Sequence, residues 1–542
     1  MRLNRLLSGG VAASLFTLLM VGAGDGRVIA QGAQSSRTIP RTPDGRPNLD
    51  GIWQVRNRAA SDLRDHLSRY MMPAGLSVVE GGEIPYQPWA AAKKSENFAK
   101  RAEADPLGKC YMAGVPRMMY LEWPFQILQT REHIAMAFEW TQVYRLIHTN
   151  GTPHDDRAQP WMGDSRGRWE GDTLVVEVAK HNDQTWFDAA GDFHSDALKL
   201  VERYTMRDAD TIQYEVTIED PKVFTRPWKI SMPFHRQKGM DRILEYHCQA
   251  EKEEAAGDFE PEPRTWYPGP NAPAPAPAFA PPVQRPQPWK APASVRRTAD
   301  GKPDLNGLYE ADAGGTNYGL EARGASPGGL TPPARGVVID PPDGRLPYQP
   351  WARAEREYRD TPIRGYDDPT AHCFPAGVPR SMYVPTPFHL VQTRDFIATL
   401  HERVSWRLIS LARTRHLPDS IRLWQGDSLG RWDGDTLVVE TTNLNGKTWG
   451  NEVGDVWSHA QHVVERFKPV DADTIEYQAT ITDPIVYTRP FTIAVPIKRL
   501  IGKGDLLEAA CHEEEHDLPV LKRIRDTERA KKANTLAGES GR

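Results

Sequence analysis

The amino-acid sequence is repeated within the chain. The string PYQPW at 85–89 recurs at 347–351, and the string GDTLVVE at 171–177 recurs at 434–440. Identical strings in the same order in both halves of a chain mark a duplicated structural unit. The sequence therefore predicts two copies of one domain in tandem.

The four cysteines obey the same repeat. Cys110 maps onto Cys373 and Cys248 maps onto Cys511, since 373 minus 110 and 511 minus 248 both equal 263. In an exported chain this pattern predicts one disulfide inside each copy, Cys110 with Cys248 and Cys373 with Cys511. Four free buried thiols are the alternative, and they require a reducing compartment. A thiolate metal site is disfavoured because the chain has no Cys-x-x-Cys pair.

The N-terminus has the pattern of an export signal. Arg2 and Arg5 precede an apolar stretch at 6–23, and small residues follow before Gln31. This pattern predicts a removable signal peptide at 1–30 and a periplasmic or secreted location. An uncleaved membrane anchor is the alternative, although several glycines interrupt the apolar stretch. No other segment is apolar enough to span a bilayer, so no stable membrane span is expected after cleavage.

The remaining chain is too long for one hydrophobic core. We expect a first β domain at 37–252, a proline-rich linker at 253–295, a second β domain at 296–516 and a charged tail at 517–542. Proline at the density of the linker favours extended polyproline geometry, which makes a semi-rigid spacer. A docking site for a proline-binding partner is the alternative.

Hydrophobic residues recur with the period of a β-strand. Apolar and polar residues alternate at 212–218 and again at 475–481, and the turn sequences at 170–173 and 208–211 favour tight hairpins. The best helix candidate is 88–104, which is rich in Ala, Lys and Glu. The fold class is therefore all-β with minor helix. We predict two tandem antiparallel meander domains that close as lipocalin-like barrels, with two-sheet sandwiches as the alternative.

The segment around the repeated GDTLVVE string also resembles a known group of proteins. Residues 161–177 read WMGDSRGRWEGDTLVVE, and they are followed by Asn182, by TW at 185–186, by HSD at 194–196 and by ER at 202–203. This pattern resembles a family of uncharacterised exported bacterial proteins, and it covers both copies. The resemblance implies export and a repeated domain, and it transfers no catalytic role.

Four polar residues of the first copy are candidates for catalysis. His194, Asp196 and Glu202 share parity, so a continuous strand would place them on one face. A histidine beside two carboxylates suits general acid–base chemistry near neutral pH, and Arg203 would stabilise negative charge. In the second copy Trp457 stands at the position of His194, and the histidine lies two residues further along the chain, at His459. This difference argues against a catalytic role for both copies. The competing interpretation is a structural polar cluster or a cross-strand ion pair.

Tryptophans near polar residues and turns are the candidates for ligand binding. Such rings stack on sugars or on flat ring systems in a concave site. Some of the 16 tryptophans must instead fill the domain cores. The predicted ligand residues are Trp161, Asp164, Asn182 and Trp186 in the first copy and Trp424, Asp427, Asn445 and Trp449 in the second.

No metal site and no cofactor is predicted. His148, His154, Asp155, Asp156 and Asp164 carry suitable ligand groups, but their spacing matches no recognised metal-binding pattern and favours a solvated loop. The balance of 67 Lys and Arg against 72 Asp and Glu gives a net charge of -5, which argues against nucleic acid as a partner. The expected partner is a small-molecule ligand or substrate.

Two functions from different classes are consistent with these residues. The first is an exported binding protein that holds a small, partly apolar, aromatic or carbohydrate ligand in a barrel mouth. The second is an exported hydrolase, lyase or isomerase that uses His194 as a base and Asp196 to orient it. A docking protein of the cell envelope is a third possibility.

Overall fold

The computed structural model describes residues 38–68, 72–157, 159–256, 294–325, 331–360, 362–514 and 518–540. The predicted signal peptide and most of the predicted linker lie outside the described residues.

The first copy forms a closed barrel of nine strands. In chain order they are β1 Gly51–Gln54, β2 Phe125–Gln129, β3 His133–Phe138, β4 Tyr144–His148, β5 Asp164–Glu170, β6 Thr173–Ala179, β7 Lys199–Asp208, β8 Thr211–Glu219 and β9 Trp228–Arg236. Each strand pairs with the next, and β1 closes the barrel by pairing with both β2 and β9. The predicted closed barrel is confirmed, and the sandwich alternative is wrong.

The second copy repeats this barrel and adds one short strand. Its strands are β10 Gly307–Ala311, β11 Val338–Asp340, β12 Phe388–Gln392, β13 Phe396–His401, β14 Ser405–Ser410, β15 Asp427–Asp433, β16 Thr436–Thr442, β17 His462–Pro469, β18 Thr474–Thr482 and β19 Phe491–Arg499. Here β10 pairs with β12 and β19, which closes the barrel, and β11 pairs with β19 as an extra edge strand.

Helices are few, as the all-β prediction requires. They are α1 Pro88–Ala104, α2 Cys248–Ala256, α3 Pro350–Arg359, α4 Cys511–Glu514 and α5 Leu518–Ser540. The helix predicted at 88–104 has these bounds, and its proline stands in the first turn, where no backbone N–H is needed. Within the described ranges, no helix combines the length and the apolar character needed to cross a membrane.

One strand pair in each barrel departs from the predicted meander. The hairpins at 170–173 and 208–211 form as expected. However, β4 pairs with β5 in parallel, and β14 pairs with β15 in parallel. A parallel pair requires a long crossing connection, which is supplied by 149–163 in the first copy and by 411–426 in the second.

An arginine and a glutamate form an ion pair inside the first barrel. The guanidinium of Arg145 binds both carboxylate oxygens of Glu202, and both side chains are fully buried. The Tyr214 hydroxyl donates to the same carboxylate at 2.8 Å, and the Arg145 Nε donates to the Ser165 hydroxyl at 3.0 Å. A buried pair is tolerated in this way because further hydrogen bonds satisfy its remaining atoms.

The second barrel contains the equivalent pair. Arg407 binds Glu465 inside the barrel, with Tyr477 donating to the carboxylate at 2.9 Å and the Ser428 hydroxyl accepting from Arg407 at 3.0 Å. The shared glutamate that the sequence offered as a catalytic candidate therefore lies in the barrel interior of both copies, hydrogen-bonded to protein groups.

The two barrels pack against each other through their outer faces. Apolar side chains of β2, β3 and β4 meet those of β12, β13 and β14, and the Trp406 indole donates to the Phe138 carbonyl at 2.9 Å. Two glutamates make reciprocal contacts across this seam. Glu245 accepts from the backbone N–H of Gln425 at 3.0 Å, and its counterpart Glu508 accepts from that of Met162 at 3.3 Å.

Both predicted disulfides are confirmed. Cys110 bonds Cys248 and Cys373 bonds Cys511, with Cα–Cα distances of 5.5 and 5.6 Å. Each bridge ties the segment that follows a barrel back to that same barrel. The segment after the first barrel also reaches the second copy, because the His247 ring contacts Phe374 at a centroid distance of 5.6 Å.

We predict that Glu202→Gln destabilises the protein by about 3–5 kcal/mol, because it leaves the Arg145 charge buried without a counter-charge. Denaturant unfolding followed by tryptophan fluorescence measures this change. Glu170→Gln, which alters an exposed pair with Arg203, is the control and should leave unfolding unchanged. Equal unfolding of the two variants would contradict a structural role for the buried pair.

Candidate functional site

A cavity lies at one mouth of the second barrel, beside the seam. Its volume is about 140 Å³, similar to the cavity of about 150 Å³ that holds one benzene molecule in another protein. It is lined by the end of β13, the start of β14 and the segment 380–386 that precedes β12. The first copy contributes His247, so both copies build this site.

Part of the cavity wall is apolar. Phe374, Val384 and Pro385 line it, together with the Cys373–Cys511 bridge. An apolar wall with a few polar groups is the usual composition of a small-molecule site.

Three polar side-chain atoms in the lining have no hydrogen-bond partner among the described residues. They are the Ser381 hydroxyl, the Thr386 hydroxyl and the His401 Nδ1. Ser381 and His401 are each only 3% exposed. An unsatisfied buried polar group costs about 1–3 kcal/mol, and residues of the cavity lining carry three of these groups.

Both histidines of the cavity are neutral at physiological pH. Burial lowers the pKa of His401 to about 3, and burial also lowers the pKa of His247 to about 3. The His401 Nε2 lies 2.9 Å from the Thr399 hydroxyl. A neutral imidazole donates at one nitrogen and accepts at the other, so Nδ1 has one unused hydrogen-bonding position in either tautomer.

Charged groups line the cavity as well. Arg380 is buried and paired with Asp368 through two contacts of 2.8 Å, and its Nε donates to the Asn317 amide oxygen at 3.1 Å. Arg403 and Glu452 are exposed. The Asn317 amide nitrogen donates to the Glu452 carboxylate at 2.7 Å, which holds that carboxylate in place.

The equivalent place in the first copy is filled by large apolar side chains. Trp123 stacks on Tyr246 at 4.6 Å, and Trp140 lies 5.2 Å from the same ring. The repeat places Thr386, Arg403 and Ala509 at these three positions in the second copy. Ser381 and His401 likewise stand where the first copy has Met118 and Phe138. The cavity therefore results from a coherent loss of side-chain volume in one copy.

The structure does not bring the four predicted catalytic residues together. His194 is buried, its Nδ1 donates to the Ser195 carbonyl at 2.9 Å, and its Nε2 accepts from the Thr185 hydroxyl at 2.6 Å. Burial lowers the pKa of His194. Asp196 is exposed and pairs with Lys222 at 2.6 Å.

The other two members of that set lie on opposite sides of the barrel wall. Glu202 is in the interior, whereas Arg203 is outside and pairs with Glu170 at 3.1 Å. His194 and Asp196 precede β7, which begins at Lys199, so the continuous strand on which the shared face depended does not form.

The predicted ligand tryptophans lie in separate places. Trp161 is 2% exposed and packs on Tyr111 at 5.5 Å. The backbone of Trp186 forms an isolated β-bridge with Phe193. The Arg359 guanidinium carbon lies 4.7 Å from the centre of the Trp449 ring. Trp424 packs on Phe374 at 5.4 Å, so it supports the wall of the cavity from behind.

The predicted polar ligand residues have structural partners. Asp164 binds His154 at 2.8 Å, and Asp427 binds His416 at 3.1 Å. Asn182 and Asn445 each accept from a backbone N–H two residues further along the chain, which stabilises a turn. Of the considered metal ligands, only the side chains of His154 and Asp164 form a hydrogen bond with each other. The Asp155 side chain pairs with Arg157 and that of Asp156 with Lys180.

The sequence interpretation missed a cluster of three buried carboxylates in the first copy. One oxygen each of Asp62, Asp188 and Asp192 lies within 4.8 Å of the others, so in the described part of the chain this group could hold a metal ion. Burial and the neighbouring Asp192 raise the pKa of Asp188 well above its ordinary value. At the matching position the second copy has Asn451, which donates to Asp455 at 2.5 Å.

A cation lies beside these carboxylates in both copies, but on different elements. In the second copy the Arg356 Nε lies 3.4 Å from Asp455, the counterpart of Asp192. In the first copy the Arg64 Nε lies 3.6 Å from Asp62, and Lys94 stands at the helix position of Arg356. The second copy has Asn451 in place of Asp188, whose pKa is raised.

We predict that Asp188→Asn raises stability at pH 8 by about 0.5–2 kcal/mol. A raised pKa means that the folded chain holds the proton more tightly than the unfolded chain, so stability falls as the pH rises above 3.8 through the raised pKa. Asparagine does not titrate, so the variant should not lose stability in this way as the pH rises. Thermal unfolding at pH 5 and pH 8 measures it, with the exposed Asp196→Asn as the control. A variant that is less stable than the native chain at pH 8 would contradict the raised pKa of Asp188.

No protein-family model and no curated protein matches the chain. Among solved structures, a protein of unknown function of the DUF3598 family from Nostoc punctiforme matches at 8% identity with a TM-score of 0.13. The match covers 70% of this chain and 88% of that chain. A similarity of this strength carries no argument about function.

Proposed function

We propose that this protein is an exported binding protein whose second barrel holds one small molecule in the mouth beside the seam. The ligand has the size of a single ring and carries both apolar surface and hydrogen-bonding groups. The two disulfides fit a location outside the cytoplasm, where such bonds persist.

The observation that carries this proposal is the set of unpartnered polar atoms in the cavity. Ser381, Thr386 and His401 line a space large enough for a ring, and each has one buried side-chain atom without a hydrogen-bond partner among the described residues. At the three matching positions the first copy has Met118, Trp123 and Phe138. Of these side chains, only the indole N–H of Trp123 requires a hydrogen-bond partner. The first copy shows that apolar side chains at these positions are compatible with the same barrel.

The first copy has a supporting role in this proposal. His247 lines the cavity from the segment that follows the first barrel, and the Cys110–Cys248 bridge fixes that segment one residue away. The first barrel thereby closes the site without contributing a cavity of the same kind. This division of labour accounts for the divergence of the two copies at one mouth.

We predict that a ligand is found by thermal-shift screening of the oxidised full chain against monosaccharides, hydroxylated aromatic compounds and amino acids. A compound at 100 times its Kd stabilises the folded chain by about 2.7 kcal/mol, which gives a measurable rise in Tm. The double variant Ser381→Met, Thr386→Trp carries the first-copy residues and should lose this rise, because the new side chains occupy the cavity.

Arg431→Lys, an exposed change on β15, is the matched control and should keep the full rise in Tm. A screen in which no compound stabilises the native chain would refute the proposal. A double variant that folds and keeps the rise would place the ligand elsewhere and would refute the proposed site.

A further inference from the structure

Two opposite charges line the cavity of the second copy and are absent from the first. Arg403 stands where the first copy has Trp140, and Glu452 stands where it has Ala189. Both side chains are exposed, so they lie at the open side of the cavity, whereas Ser381 and His401 lie at the buried side.

The two charges are close without touching. Burial has the largest effect on the pKa of Glu452 and raises it, whereas the charges of Arg380 and, less strongly, of Arg403 lower it. Yet no ion pair within 4.0 Å joins them or joins Arg403 to any other carboxylate of the described chain. The charge of Arg403 also reaches Glu402, which does not line the cavity. Two opposite charges that line one cavity without pairing fit a molecule that carries both complementary charges.

Glu452 is held on its side of the gap by a chain of hydrogen bonds. Asp368 binds Arg380, the Arg380 Nε donates to the Asn317 amide oxygen, and the Asn317 amide nitrogen donates to Glu452. The orientation of Asn317 is fixed by its two partners, so its amide nitrogen must point at the carboxylate. Such support keeps Glu452 positioned to receive a cationic group.

We propose that the ligand is a free amino acid with a compact side chain that carries a hydroxyl group or a small ring. Its carboxylate binds Arg403 and its ammonium group binds Glu452. Its side chain enters the neutral part of the cavity, between Phe374 and the unpartnered atoms of Ser381 and His401. This inference rests on the proposed binding function and specifies the class of ligand.

Other ligand classes leave part of the site unexplained. A monosaccharide satisfies the hydroxyl groups and can hydrogen-bond both charged side chains, but it provides no counter-charge for either. An aromatic acid binds Arg403 but places its carboxylate near that of Glu452, which is unfavourable. A zwitterion provides a partner for each charge and leaves the net charge of the site unchanged. The neutral His401 adds no charge that would oppose an uncharged side chain.

The test uses isothermal titration of the oxidised full chain with the common L-amino acids. Each amino acid that binds is compared with its N-acetyl derivative and with its methyl ester. We expect both derivatives to bind at least about tenfold more weakly, because each lacks one charge. Arg431→Lys again serves as the control.

Two variants assign each charge to its partner. Glu452→Gln should abolish the preference for the free amino group while the preference for the free carboxylate persists. Arg403→Gln should abolish the preference for the free carboxylate while the preference for the free amino group persists. Both side chains are exposed, so neither variant should impair folding, and circular dichroism checks this. Variants that weaken binding without shifting these preferences would overturn the assignment.

The outcomes separate the two levels of the proposal. If monosaccharides or hydroxylated aromatic compounds bind and no amino acid does, the zwitterion inference is wrong and the binding function stands. If derivatives bind as tightly as free amino acids, the inference is also wrong. If nothing binds at millimolar concentrations, both the inference and the proposed function are wrong.

Discussion

The packing of each barrel's trailing segment against the other barrel determines the rest of this structure. After the first barrel the chain turns back, is fixed by the Cys110–Cys248 bridge, and lays His247 against Phe374 of the second copy. After the second barrel the chain does the same, and Glu508 accepts from the backbone of the first copy. Because these contacts are reciprocal, the two barrels share one seam, and the mouth beside it is enclosed by parts of both copies.

Duplication gave the protein two solutions to the same packing problem at that mouth. In the first copy the rings of Trp123, Trp140 and Tyr246 fill the space with dispersion contacts. In the second copy smaller and more polar side chains leave a cavity with unsatisfied hydrogen-bonding groups. Both copies contain buried polar atoms without a hydrogen-bond partner among the described residues, and in the second copy three of them belong to the cavity lining. Proteins commonly place such costly groups where they bind something.

The sequence predicted the architecture well and the site poorly, for related physical reasons. Alternation of apolar residues at 212–218 and the repeated cysteine spacing report directly on local geometry and on the duplication, so the barrels, the bridges and the helix at 88–104 were correct. The parallel pair of β4 and β5 depends on the path of the connection at 149–163, which has no periodic pattern to reveal it. Pairing across a long connection is decided by tertiary packing.

The candidate site could not be predicted from the polar residues that both copies share. Those residues are mostly architectural: Glu202 and Glu465 form the interior ion pairs, and Asn182 and Asn445 stabilise turns. The informative signal was the opposite one, a group of positions where one copy exchanges large apolar residues for polar ones. Trp140 against Arg403 is visible in the sequence, but only the fold shows that this difference and four others converge on one mouth.

The Cys373–Cys511 bridge is part of the cavity wall, and this links the chemistry of secretion to the shape of the site. The bridge holds the start of α4 beside Phe374. Reducing the Cys373–Cys511 bond would release that tie, so the redox state of the chain and the shape of the cavity are coupled.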